Sequence, residues 1–171
     1  ADILYTRGEI EEALEILDRM EGMLTDDGAN QSLRLVRMEC FRSWTFCVMG
    51  KMDSAMKKAL EAVKIAENIS GVDEYEQSQK LGYAYNTLAT VHWGNGDYHQ
   101  ARDFYQKALS IARRYDMKRE MAVTSGNIGL VSQKMGDLRD AVNAFLMQQS
   151  LSRDIGDKLI ELSSFGSLSN A

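Results

Sequence analysis

The sequence predicts an all-α fold, an αα-superhelix of antiparallel helical hairpins, and three observations predict it. Its 171 residues include no proline, so nothing interrupts long helices. A glycine followed five residues later by an alanine recurs four times: Gly8–Ala13, Gly50–Ala55, Gly96–Ala101 and Gly136–Ala141. After each alanine the next packing residues return at i+4 and i+7, the spacing of one helix face.

The glycines are 42, 46 and 40 residues apart, enough for two helices and two turns per unit. The units fall at roughly 1–24, 30–69, 77–115 and 119–155, with a partial unit at 158–171. In each, the glycine ends the first helix because a left-handed cap costs it little. An apolar residue two positions on (Ile10, Met52, Tyr98, Leu138) closes the turn, and the alanine lets two helix backbones approach. Leu17, Ala59, Tyr105 and Phe145 follow as fillers, then Met20, Ala62, Ala108 and Gln148. Met20 and Gln148 are not small, which predicts looser packing in the outer hairpins. Asp97 is placed to cap the following helix, with Gln100 reaching back.

The first helix of a unit carries a large apolar residue followed by a tiny one, seven residues before the turn glycine. Leu88-Ala89 and Ile128-Gly129 show this pattern in full and Leu168-Ser169 in part. The second unit departs from it, with Arg42-Ser43 in that place. Its helix is expected either to rotate or to use Phe41 and Trp44 instead.

The motifs N-x-L-A…G-D-Y…A…Y…A at 86–108 and N-I-G…M-G-D-L…A…F at 127–145 resemble the tetratricopeptide repeat family. The period near 40 is similar to its longer-helix branch, seen in Pins/LGN-type adaptors, kinesin light chains and bacterial signalling proteins. The resemblance implies a protein–protein interaction scaffold whose concave groove, lined by first helices, takes a partner peptide or helix. Carried over by alignment, the groove-facing residues are Arg37, Cys40, Phe41, Trp44 and Cys47, then Tyr83, Asn86, Thr87, Thr90 and Trp93, then Val123, Asn127, Leu130, Gln133 and Lys134. The expected peptide-binding set is Arg37, Phe41, Trp44, Tyr83, Asn86, Thr90, Trp93, Asn127, Leu130 and Lys134. For Trp44 and Trp93 a core position stays open as the alternative, and for Asn127 a role in packing between repeats. The carboxylate clamp of chaperone-binding members does not fit. In one register its places hold Arg37, Phe41, Thr87, Val123 and Asn127; in the other, Tyr83, Thr87, Asn127, Ser163 and Ser167. Such a clamp needs several converging cationic donors.

Composition narrows the function classes. The net charge is −5 and no basic stripe appears, so nucleic acid is not an expected partner. Nine acids crowd residues 1–30 and read as the solvated face of a helix. Cys40 and Cys47, about 10 Å apart on one helix, are too distant for a disulfide and suggest a reducing, cytoplasmic setting. No stretch is long enough for a membrane span. His92 and His99 flank a turn without other ligands nearby, so no metal, cofactor or enzymatic activity is expected. His92 is expected to pack in its hairpin and His99 to lie in an exposed turn, while Arg113, Arg114, Lys118 and Arg119 form a solvated basic corner. The first unit lacks most of a leading helix and the last stops short of a turn glycine. That predicts a piece of a longer solenoid, self-associating through open ends that include Leu4, Tyr5, Ile160, Phe165 and Leu168. The alternative function is a regulatory sensor segment attached to a catalytic or DNA-binding domain.

Overall fold

The structure, a computed structural model, describes residues 7–23 and 28–160. Among these residues there are seven helices and no strand: α1 (Arg7–Gly22), α2 (Gly28–Val48), α3 (Met52–Glu67), α4 (Glu74–Gly94), α5 (Tyr98–Arg114), α6 (Lys118–Met135) and α7 (Leu138–Ile155). Helices α2–α3, α4–α5 and α6–α7 form three antiparallel hairpins, each packed on the next, and α2 also touches α4. The chain is an αα-solenoid. Leu4, Tyr5, Phe165 and the Leu168-Ser169 pair lie outside the described residues.

Three of the four repeat glycines end a helix as expected. Gly50, Gly96 and Gly136 have φ of 70°, 83° and 84°. Beside each, the next amide reaches back five residues, Lys51 to Phe46, Asp97 to His92 and Asp137 to Ser132, all at 2.9 Å, and the glycine's own amide reaches back three, to Cys47, Trp93 and Gln133. These paired bonds satisfy carbonyls that the helix end would otherwise orphan. Gly8 differs, since it lies inside α1. Gly156 makes the same turn after α7, and at the end of α5 Asp116 takes the left-handed position with φ 51°.

The alanines do what their size allows. Ala55, Ala59, Ala62 and Ala66 are all fully buried along one face of α3, and they join Val36, Cys40, Leu88 and Val91 in the main core. A second core gathers Ala89, Ala101, Tyr105 and Val131. Close approach is tightest between α6 and α7, where a Cβ on Gly129 would lie 2.4 Å from the Phe145 ring. One on Gly126 would lie 2.6 Å from the Gln148 amide. Gln148 is buried, so looser packing does not occur there. Met20 and Leu138, by contrast, are exposed, and Leu138 does not seal its turn.

Helix α2 is not rotated, contrary to one expectation. Ser43 is fully buried in the small-residue place and donates to the Ala55 carbonyl at 2.9 Å. Arg42 occupies the large-residue place and is also buried, whereas Phe41 and Trp44 face outward. The guanidinium bonds to Glu39, to Asp18 at 2.7 Å and to Glu21 at 2.7 Å. Glu39, itself buried, also meets Lys58 at 2.7 Å. Burial alone would weaken the Arg42 cation, but its carboxylate partners more than offset that and raise its proton affinity. Asp18 and Glu21 are therefore not merely a solvated face; they fasten α1 to α2.

The Asp97 cap is also corrected. Its backbone sits at φ −80°, ψ 61° and its side chain makes no cap bond. It faces His92 instead, at 3.5 Å. His92 stacks on Phe104 with ring centroids 5.5 Å apart, so it packs in its hairpin, and His99 is exposed. In the basic corner Arg114 is exposed but pairs with Glu74 at 2.8 Å.

Candidate groove site

The inner face is built from stripes on three first helices. On α2 the positions Arg34, Arg37, Phe41 and Trp44 recur at i, i+3, i+7 and i+10, and on α4 so do Lys80, Tyr83, Thr87 and Thr90. Such spacing keeps each set on one helix face. Helix α6 supplies Asn127.

Between these stripes lies a cavity of about 340 Å³ lined by Cys40, Phe41, Ser43, Trp44, Cys47, Tyr83, Asn86, Thr87, Thr90, Val91 and Asn127. It brings together six residues of the expected set: Phe41, Trp44, Tyr83, Asn86, Thr90 and Asn127. Arg37 lines the adjoining clefts with Tyr83. Trp93, Leu130 and Lys134 are exposed and line none of these cavities. Ser43 and Val91 also line the first cavity, although neither belongs to the expected set.

Both tryptophans are surface residues. Trp44 is 40% and Trp93 38% exposed, so the core alternative does not hold for either. Phe41 is 41% and Tyr83 49% exposed, and the Phe41 and Trp44 rings meet at 5.6 Å.

Polar groups on the cavity wall are joined to one another. Asn127 donates its side-chain amide to the Asn86 side-chain oxygen at 3.0 Å, bridging α6 to α4. A primary amide has further donors and acceptors, so this packing role does not exhaust either asparagine. Thr90 donates to the Asn86 carbonyl at 3.0 Å and lies 2.9 Å from the Tyr105 hydroxyl. With its single proton directed at Asn86, Thr90 accepts from Tyr105. Thr90 is thereby a wall fixture rather than an open donor.

The wall is electrically neutral. Burial pushes the Cys40 thiol up to about 12 and the Tyr105 phenol up to about 12; it also raises Cys47 and Tyr83. A buried protonated thiol is a poor nucleophile. Cys40 and Cys47 are free thiols. Among the described residues no group of His, Cys, Asp and Glu is placed to hold a metal ion. The arrangement suits shape-selective binding by aromatic and amide groups, not covalent chemistry.

Residues 80–154 match the family model described as tetratricopeptide repeat. These residues are tetratricopeptide repeats. No curated protein matches the chain by sequence. Among solved structures, apo RapI is similar with a TM-score of 0.75 at 16% identity, over 96% of this chain and 44% of RapI. BtubC from P. vanneervenii gives 0.73 at 16% identity, over 94% of this chain and 62% of BtubC. A Signal Transduction ATPase with Numerous Domains from Pyrococcus horikoshii, with a tetratricopeptide repeat sensor, gives 0.74 at 15% identity, over 96% of this chain and 24% of its own. At these identities the likeness is one of fold, and the chain spans only part of each neighbour's length. Tetratricopeptide repeats in general mediate protein–protein interaction and act as non-catalytic scaffolds. Among the described residues no helix is long and apolar enough to cross a membrane.

Proposed function

We propose that the cavity between α2, α4 and α6 binds a peptide or helix of a partner protein. One observation carries this reading. Phe41, Trp44 and Tyr83 stand together, each at least 40% exposed, around one concave cavity, while comparable side chains such as Leu88 and Phe145 are fully buried. Clustered exposed aromatics are the usual anchors of binding interfaces. Asn86 and Asn127 supply amides beside them, suited to pairing with a peptide backbone. Lining residues change roles along the stripe: Phe41, Trp44 and Tyr83 take side chains of the ligand, and Arg37 flanks one end. Trp93, Leu130 and Lys134 lengthen the surface at the other.

Selection of displayed random dodecapeptides on the 171-residue chain tests this. Peptides should be enriched whose binding falls about tenfold or more in Phe41→Ala and Trp44→Ala, with the helical circular dichroism of both variants unchanged. Enriched peptides that ignore both substitutions would sink the groove assignment.

A second reading is the sensor segment of a larger signalling protein, in which groove occupancy controls an attached catalytic or DNA-binding domain. It is favoured by the repeat sensor of the Pyrococcus horikoshii ATPase, of which this chain matches about a quarter.

A further inference from the structure

The cavity does not end at Tyr83. A second cleft, lined by Leu17, Met20, Arg34, Arg37, Met38, Phe41 and Tyr83, adjoins it through Phe41 and Tyr83. A third, lined by Arg37, Gln79, Lys80, Tyr83 and Glu120, adjoins both through Tyr83. The three form one trough with an uncharged aromatic and amide middle and a cationic end.

At that end Arg34 and Arg37 are exposed and Lys80 is half-buried. Among the described residues none of the three forms an ion pair, although Arg42, five residues along the same helix from Arg37, has three carboxylate partners. Among the residues lining the trough, Glu120 is the one acid. The local excess is thus +2 in a chain of net charge −5. Three cations too few and too localised to track a nucleic-acid backbone still steer and select a carboxylate-bearing ligand. In a half-enclosed trough their attraction is screened less than on an open surface.

We infer that the trough takes an acidic peptide segment of a partner protein. Its side-chain carboxylates lie against Arg34, Arg37 and Lys80, and an apolar or aromatic anchor beside them lies against Phe41, Tyr83 and Trp44. This rests on the groove reading above and names the chemistry of its ligand.

The displayed library decides it when each dodecapeptide is fused at its C-terminus, so that side-chain carboxylates are the only ones present. The peptides that depend on Phe41 and Trp44 should be acidic around an apolar residue. Their affinity should fall about tenfold in Arg34→Gln/Arg37→Gln/Lys80→Gln, since three exposed pairs are lost together, and the loss should shrink as salt rises. Groove-dependent peptides that are neutral or basic, or acidic ones indifferent to the triple variant, would overturn the acidic ligand and leave the groove reading standing. Peptides independent of Phe41 and Trp44 would overturn both. A dimer of the chain that dissolves in the triple variant, seen by sedimentation, would assign the trough to the acidic α1 of a second copy and overturn the partner.

Discussion

The first and last of the interfaces described solve one packing problem with opposite chemistry. Between α6 and α7 backbone closeness does the work: Gly129 presents no side chain, and the Phe145 ring fills the space directly above it. Between α1 and α2 the large-residue place of the same large–small pair carries Arg42, and four charged side chains surround a site that Leu88 fills with hydrocarbon in the next unit. A solenoid tolerates this because each unit answers only to its neighbours. The fold constrains the volume and direction of the residue there, and leaves its polarity to local partners.

The comparison breaks hardest at Arg42. Arg42→Ala leaves Glu39 buried with only Lys58 opposite, and should cost about 3–5 kcal/mol, measured by urea unfolding. Arg42→Met combined with Glu39→Met should recover most of that loss, because a well-packed apolar pair replaces buried charge at little penalty. A double variant no more stable than Arg42→Ala would show that the network is more than a filled space.

At the other interface Gly129→Ala should destabilise by about 1–3 kcal/mol through overpacking. The added methyl meets a fully buried ring, and the helix-propensity gain of about 1 kcal/mol does not offset the clash. Gly126→Ala sharpens the point. It meets the end of a flexible Gln148 side chain, so the same propensity gain should hold it within about 1 kcal/mol of the parent. An effect of similar size belongs to Ser43, which fills the Gly129 place in the α2 hairpin. Ser43→Ala should cost about 1 kcal/mol, the net worth of its bond to the Ala55 carbonyl.

The repeat was legible because its demands fall on residue identity. A left-handed turn selects glycine, and a close crossing selects alanine or glycine, so Gly50, Gly96, Gly136 and their alanines stood out. Gly8 satisfied the pattern without making the turn. Asp116 made a turn without satisfying the pattern, since its left-handed backbone carries no glycine to mark it. The Asp97 cap failed for a backbone reason: a side-chain cap needs extended geometry, which Asp73 has at ψ 158° and Asp97 lacks at ψ 61°. Asp73 indeed accepts the Glu76 amide at 2.8 Å. At the candidate site, helical spacing places Trp44 and Trp93 on a face but does not say whether another helix covers it. Arg42 was opaque for a similar reason, because its partners Asp18 and Glu21 come from a different helix.

Arg42 holds charges of two kinds at once. Glu39 is sealed from solvent, but Asp18 and Glu21 stand largely in water. Mobile ions therefore reach one side of the guanidinium and not the other. Raising ionic strength should release α1 while the bond to Glu39 holds, so that amide protons of α1 exchange faster with deuterium and those of α2 keep their protection. The leading helix is in effect a salt-operated latch on the hairpins behind it.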